Sequence, residues 1–304
     1  MDNILVSVEE KIRRVLKKVQ DNTVHKEVDT VFYLARKQSQ KVTESQKRTI
    51  SHIAVTSLTP DEIRKVFEIK EVSHNDHWTL SQEETRTVPD HLNAILADYS
   101  VSLGGSPENE ALMRCRIDTI LLASLAAQKR ASSRDSGSSI LSVHFQLETD
   151  MRLPWKYEGE QKVISGKTDY SLWYNAPEEM ECNLLVVEAK RKGESSSGVF
   201  QVLAYMAMLH NARKEVGRKD VSIYGIATDS FTWSFLYLDN QGRWSRRTYE
   251  WGSGQGDKIV SWIHKIIRQA ASLSKKEFES NQTGVNRTLS GHSKLEGFFH
   301  GGSI

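Results

Sequence analysis

Cysteine is scarce in this sequence, which has only Cys115 and Cys182 among its 304 residues. Cys115 falls in an apolar helical pattern, and Cys182 comes just before an apolar strand pattern. This placement fits two reduced thiols in an intracellular compartment and argues against a disulfide framework or a zinc site. Long apolar runs and a signal-peptide pattern at the N-terminus are also missing. We therefore expect a protein of the nucleus or cytoplasm that does not use a membrane.

An excess of charge of one sign is missing as well. The 41 Lys and Arg residues nearly balance the 39 Asp and Glu residues, and the net charge is +2. No overall field therefore favours nucleic acid, and any attraction to phosphate must come from local basic clusters. Hydrophobic residues make up 38% of the chain, which is ordinary for a globular protein. The length is sufficient for one substantial domain and a smaller one.

A strand pattern over residues 183–190 carries the clearest functional signal. Its apolar residues occupy both alternating faces, as expected for a central strand that is buried on two sides. Glu188 and Lys190 interrupt this pattern at its end. Because side chains two residues apart in a strand point to the same side, we expect this carboxylate and this ammonium group to share one face.

The preceding strand pattern, residues 163–174, places Asp169 on the side opposite to its apolar residues. Turn residues between the two strands predict a hairpin that brings Asp169 beside Glu188. Two carboxylates and the backbone carbonyl of Ala189 are oxygen ligands that suit Mg²⁺ or Mn²⁺. In such a site Lys190 activates or orients the attacking water and stabilises charge on a phosphorane-like transition state. The pattern indicates a divalent-metal phosphodiesterase site.

A plain ion pair is the alternative interpretation of these residues. A buried Asp or Glu that is neutralised by Lys190 needs neither a metal nor a substrate. We favour the metal site because buried charges are costly, and because these charges end a strand that is apolar on both faces.

A helix pattern over residues 199–213 follows this strand. Gln201 and Tyr205 are four residues apart and share a face that differs from the apolar side of the helix. The combination resembles the PD-(D/E)XK nuclease superfamily, with the QxxxY motif of its RecB-like branch, in Thr168-Asp169, Glu188-Ala189-Lys190 and Gln201-Val202-Leu203-Ala204-Tyr205. The resemblance covers about residues 106–240 and depends on the order strand, strand, helix. Thr168 stands where the family has a proline, a change that leaves the acidic ligand in place.

The resemblance implies a restriction-endonuclease-like fold, which is an α/β sandwich with a mixed central sheet flanked by helices. It also implies a Mg²⁺- or Mn²⁺-dependent nuclease that cuts phosphodiester bonds in nucleic acid, with DNA favoured over RNA. By position, Asp169 and Glu188 would be metal ligands and Lys190 the catalytic lysine. Gln201 and Tyr205 would orient the site or bind substrate. The main alternative is a catalytically silent module of the same fold that binds nucleic acid or protein.

Three further residues are candidates that also have ordinary explanations. Glu110 lies in the first turn of a helix over residues 108–130, where the helix dipole favours an acid. Many members of the superfamily place an acid on this helix beside the metal, so Glu110 is a candidate ligand. Arg191 and Lys192 follow the strand that carries Lys190 and are candidates for phosphate contact, although a charge run at a strand end is usually solvated.

The chain is expected to have three parts. Residues 1–100 show mostly helical patterns and include an amphipathic basic helix over residues 8–19, a candidate surface for a protein partner. Residues 101–272 would form the nuclease-like domain, and residues 273–304 a disordered tail. A helical adaptor built on residues 1–100 is a third possible function, which the basic helix alone supports.

Overall fold

The computed structural model describes residues 28, 31–32, 51–73, 76–104, 109–132, 139–157, 160–174 and 180–282. The basic helix expected over residues 8–19 lies outside the described residues. The chain divides into two compact units, Met1–His52 with Trp155–Val163 and Ile53–Pro154 with Ile164–Ile304. The candidate site belongs to the second unit, which is described below.

The second unit contains the main helices and most of the strands. Helices α1 to α5 span Pro60–Phe67, Asp90–Ser102, Glu110–Ser132, Ser195–Glu215 and Gly256–Gln282. Strands β1 to β8 span Ser51–Ala54, Lys70–Glu71, Val143–Tyr157, Glu160–Tyr174, Asn183–Ala189, Ile223–Thr228, Thr232–Leu238 and Arg243–Glu250. Short 3₁₀ helices connect several of these elements, including Asp76–Trp78 and Ser139–Ser142.

The strands form one eight-stranded mixed sheet. Strand β3 pairs with β4, and from β4 the order continues as β5-β6-β7-β8-β2. The pairs β5–β6 and β2–β8 are parallel, whereas β4–β5, β6–β7 and β7–β8 are antiparallel. A parallel pair needs a crossover connection, and α4 supplies it between β5 and β6. The prediction of an α/β fold with a mixed central sheet flanked by helices is confirmed.

Strand β5 lies in the middle of this sheet, and all seven of its residues are buried. Leu185, Val187 and Ala189 belong to the core that also contains residues of α3 and α5. The neighbouring strand β6 has a glycine, Gly225, where α4 packs on the sheet. A Cβ at this position would collide with Val202 and Met206 of α4. The glycine therefore allows α4 to approach the sheet closely.

Helix α1 begins as its sequence indicates. The Glu62 backbone N–H donates to Thr59 Oγ1 over 3.3 Å, and the Thr59 N–H donates to the Glu62 carboxylate over 2.7 Å. This reciprocal pair forms a capping box, and Pro60 occupies the first helical position, where its missing N–H costs nothing.

Some element boundaries differ from those expected. The segment before β3 forms the 3₁₀ helix Ser139–Ser142, so the strand begins at Val143 and runs to Tyr157. Helix α2 contributes Leu92 and Leu96 to the same core as the sheet. Helix α5 continues through Gln282, beyond the domain end expected at residue 272. The remainder of the expected tail, residues 283–304, lies outside the described residues.

Within the described ranges, no helix combines the length and the apolar composition needed to cross a bilayer.

Candidate active site

Strands β4 and β5 place Asp169 and Glu188 on the same face of the sheet. Tyr170 pairs with Val187 in this antiparallel ladder. One step further along each strand, Asp169 is therefore opposite Glu188. Because directly opposed residues in an antiparallel pair project to the same side, the two carboxylates converge.

The Asp169 carboxylate is fixed by two donors. Its Oδ2 accepts a hydrogen bond of 2.7 Å from the Ala189 backbone N–H. Its Oδ1 accepts a close, charge-assisted contact from Nη2 of Arg114 on α3. Burial raises the pKa of Asp169, although the Ala189 N–H and the Arg114 charge oppose this rise. The side chain is only 10% exposed, so solvent gives it little further stabilisation.

Glu188 is the less exposed of the two acids, with 5% of its surface accessible to solvent. Its Oε1 accepts hydrogen bonds from Lys190 Nζ over 2.8 Å and from Gln201 Nε2 over 2.7 Å. Its Oε2 is buried and has no hydrogen-bond partner among the described residues. Burial and the nearby Asp169 charge raise the pKa of Glu188 to about 7, against the opposing effect of Lys190. This carboxyl group therefore exchanges a proton near neutral pH.

Lys190 completes the cluster from the end of β5. Its Nζ also donates to Gln201 Oε1 over 3.1 Å, so one amide bridges the ammonium group and the Glu188 carboxylate. Gly198 in the first turn of α4 makes room for the lysine. A Cβ there would lie 3.1 Å from Lys190 Cε and 3.2 Å from Cγ. The glycine thus lets the helix pass close beside the lysine stem.

Tyr205 lies one turn beyond Gln201 on α4 and contacts β4. Its hydroxyl donates to the backbone carbonyl of Lys167 over 2.9 Å. Gly166 leaves the space that the phenol ring occupies, since a Cβ at this glycine would lie 2.5 Å from the Tyr205 hydroxyl. Burial and the charge of Glu188 raise the pKa of Tyr205, so it remains a neutral donor. Its observed role is to hold β4 against α4.

Glu110 reaches the site through Arg114. The Arg114 guanidinium lies 3.2 Å from Glu110 Oε1 and 3.4 Å from Glu148 Oε1, in addition to its contact with Asp169. Three carboxylates from α3, β3 and β4 therefore surround one arginine. Arg114 is not among the site residues that the sequence indicates. The only local signal for it was its spacing of four residues from Glu110, which is typical of an ion pair on a helix.

Arg191 and Lys192 lie on the exposed loop that follows β5. Asp229 fixes this loop, because its Oδ2 accepts a hydrogen bond of 2.6 Å from the Gly193 N–H. The Lys192 ammonium group lies 4.8 Å from the centre of the Phe231 ring. The loop therefore presents positive charge at the same end of β5 as Lys190.

The donor set was tested for its fit to a divalent cation. Among the described residues, no group of three His, Cys, Asp or Glu side chains has the arrangement of a metal site. Mg²⁺ is nevertheless held in many proteins by one or two carboxylates, with waters and substrate phosphate completing its shell. The Oε2 atom of Glu188 is buried and has no hydrogen-bond partner among the described residues, so it is free to act as an oxygen ligand. Asp169 and Glu188 therefore fit such a cation.

The sequence was compared with models of known families and with curated proteins, and neither comparison found a match. The resemblance to the PD-(D/E)XK superfamily thus depends on the residues themselves.

Proposed function

We propose that this protein is a Mg²⁺- or Mn²⁺-dependent nuclease with a restriction-endonuclease-like fold. The observation that carries this proposal is the convergence of Asp169 and Glu188 on one face, with Lys190 and Gln201 both bonded to Glu188. A buried acid that keeps one oxygen without a partner is costly in a purely structural cluster. A bound cation would be the partner that this oxygen lacks among the described residues.

The surrounding fold supports the same proposal. The two acids lie on adjacent strands of a mixed sheet, and the glutamine lies on the helix that crosses over between two parallel strands. This is the order of elements that the resemblance implies. The acids also lie near the carboxyl end of β5, where open α/β sheets commonly bind their ligands.

Each residue has a defined part in this function. The carboxylates of Asp169 and Glu188, with the Ala189 carbonyl, would hold the cation. When bound, the cation would polarise the phosphate and lower the pKa of water. Lys190 is oriented by its hydrogen bonds to Glu188 and Gln201, so that it can orient water or offset charge on the phosphate. Glu188 would lose its proton as positive charge arrives, because ligands bind cations in their deprotonated form.

The substrate is a nucleic acid, with DNA favoured over RNA. Arg191 and Lys192 are exposed beside the site, where they can contact backbone phosphates. Such contacts position a strand without reading its sequence. Because the net charge of the chain is only +2, this attraction would come from the loop itself and not from an overall field.

A cleavage assay tests the proposal. The purified protein is incubated with labelled single- and double-stranded DNA and RNA, in the presence of Mg²⁺, Mn²⁺ or EDTA. We expect cleavage that requires the cation and is lost in Asp169→Asn. The matched control is Asp61→Asn, which alters a carboxylate that is 93% exposed on α1. Cleavage that survives in Asp169→Asn would refute the proposed site.

A silent binding module is the second candidate, and one observation favours it. Arg114 already neutralises Asp169, and Lys190 already neutralises Glu188. A cluster with two internal ion pairs can be stable without a cation. In that case the wild-type protein would bind nucleic acid or protein without cleaving, and calorimetric titration with Mn²⁺ would release no heat of binding.

A further inference from the structure

A separate basic cavity lies between the C-terminal part of α3 and the middle of α5. Its volume is about 470 Å³. Three cationic side chains, Arg86, Arg268 and Lys275, line it together with His264. Arg114 and Gln128 are fourteen residues apart on α3, which corresponds to about 21 Å along a helix. The cavity is therefore distinct from the cluster around Glu188.

The described residues that line this cavity carry charge of one sign. No Asp or Glu is among the described residues that line it. Arg268 forms no hydrogen bond or ion pair with any described residue, and it lies on the exposed side of α5. Arg86 Nη1 donates to the backbone carbonyls of Glu83 and Thr85, each over 2.7 Å. These carbonyls orient the guanidinium but do not neutralise it, so its charge remains available to an anion.

His264 adds an unsatisfied group to the wall of the cavity. Its Nε2 is buried and has no hydrogen-bond partner among the described residues. Burial and the charges of Arg86 and Arg268 lower the pKa of His264 to about 4. The imidazole is therefore neutral at physiological pH. The same two arginines that disfavour its proton would attract an anion into the space beside it.

We propose that this cavity binds a small phosphorylated organic molecule, with its phosphate group between Arg86 and Arg268. Arginine guanidinium groups match the geometry of phosphate oxygens, and clustered cations need a multiply charged partner. The volume exceeds the needs of a bare anion and lies within the usual range for organic ligands. Ile140 and small residues of α3 and α5 supply an apolar wall for the organic part. The inference does not depend on the proposed nuclease function.

Calorimetric titration of the full-length protein tests this proposal at low salt and in the presence of EDTA, which prevents cleavage. The probes are adenosine 5′-monophosphate, ribose 5-phosphate and adenosine. We expect the two phosphorylated probes to bind with one molecule per chain, and adenosine not to bind. Arg268→Gln should weaken binding by about tenfold or more, as expected for a lost charged hydrogen bond. Arg247→Gln removes the same charge from an exposed position on β8 and should bind as the wild type does.

A second variant guards against a general charge effect. Ala131→Trp adds a bulky side chain at the exposed rim of the cavity and leaves every cation in place. It should also reduce binding of both phosphorylated probes. Equal affinity in the wild type, Arg268→Gln and Ala131→Trp would overturn the proposal. It would also be overturned if a 5′-phosphorylated DNA octamer bound this cavity while both small phosphorylated probes did not, because the site would then be specific for a strand end.

Discussion

Gln201 on α4 donates a hydrogen bond of 2.7 Å from its Nε2 to Oε1 of Glu188 on β5. The oxygen of the same amide accepts from Lys190 Nζ over 3.1 Å. An amide has one accepting and one donating end, so its orientation is set by the two charged partners. The helix thereby fixes the acid and the ammonium group relative to each other. Neither could adopt another rotamer without breaking this bridge.

Replacing Gln201 with alanine should disturb the site without unfolding the protein. The change removes both bonds of the bridge and leaves Glu188 and Lys190 in place. We expect a loss of roughly 10–100-fold in cleavage or in Mn²⁺ affinity, the size typical of groups that orient metal ligands. Asn211→Ala is the control, since it removes an exposed amide from the same helix. Unchanged cleavage and unchanged Mn²⁺ affinity in Gln201→Ala would show that the bridge is only structural.

Lys190→Ala separates catalysis from cation binding. Both carboxylates remain, so Mn²⁺ binding should persist or tighten once the neighbouring positive charge has gone. Cleavage should fall by about 10²–10⁴-fold, as for a lost acid–base or charge-stabilising group. Calorimetry and the cleavage assay are run together on this variant and on Lys214→Ala, an exposed lysine of α4. Full activity in Lys190→Ala would show that the lysine is only an ion-pair partner of Glu188 and has no part in catalysis.

Gly198→Ala tests how closely α4 must approach the lysine. The new Cβ would lie 3.1 Å from Lys190 Cε and 3.4 Å from Ala227 Cβ. The flexible lysine stem is the part that can yield, so the ammonium group should move from its position between Glu188 and Gln201. We expect cleavage to fall. The free energy of unfolding should change by no more than about 1 kcal/mol, the helix preference of alanine over glycine.

Gly225→Ala provides a contrast to Gly198→Ala. Its Cβ would collide with Val202 and Met206, which are both fully buried. Overpacking of this kind destabilises a protein by about 1–3 kcal/mol. Denaturant unfolding of both variants therefore distinguishes a displaced lysine from a strained core. A large loss of stability in Gly198→Ala, with the fall in cleavage following it, would contradict the proposed displacement.

The sequence predicted the part of the site that depends on local patterns. Strands alternate their side chains with a period of two, so the shared face of Glu188 and Lys190 followed directly. The position of Asp169 required one more inference, the antiparallel pairing of two consecutive strands, and the register bears this out geometrically. Gln201 was assigned to the site by the resemblance to the QxxxY motif, and helical spacing added only that Gln201 and Tyr205 share a face.

Arg114 could not be predicted in the same way. It contacts Asp169 across 55 positions of sequence, and the contact depends on where α3 lies relative to β4. No periodic pattern encodes the rotation of a helix relative to a sheet. His77 is a second example. Its ring stacks on Tyr237, which is 160 positions away in sequence, with centroids 3.6 Å apart and planes 4° from parallel.

The half-buried position of His77 predicts how low pH affects the stability of the fold. Its Nε2 lies 2.9 Å from the Tyr224 hydroxyl. Burial, with a contribution from Lys265 that Glu84 opposes, lowers the pKa of His77 from 6.5 to about 4. Between pH 6.5 and about 4, His77 binds a proton more readily in the unfolded chain than in the folded protein. The contribution of His77 to stability is therefore complete above pH 6.5 and is lost as the pH falls towards 4.

His77→Phe should weaken this dependence on pH. The phenyl ring can stack on Tyr237 but cannot titrate, and it loses the interaction with Tyr224. At pH 7.5 the variant should be less stable by about 0.5–1.5 kcal/mol, the value of one hydrogen bond. Between pH 6.5 and 4.5 this difference in stability should shrink or reverse. Only the wild type loses stability in this range, because only its unfolded chain gains a proton at position 77. Urea unfolding followed by tryptophan fluorescence measures both proteins, with His91→Asn on the exposed side of α2 as the control. Parallel pH profiles of the wild type and His77→Phe would show that protonation of this ring is not linked to unfolding.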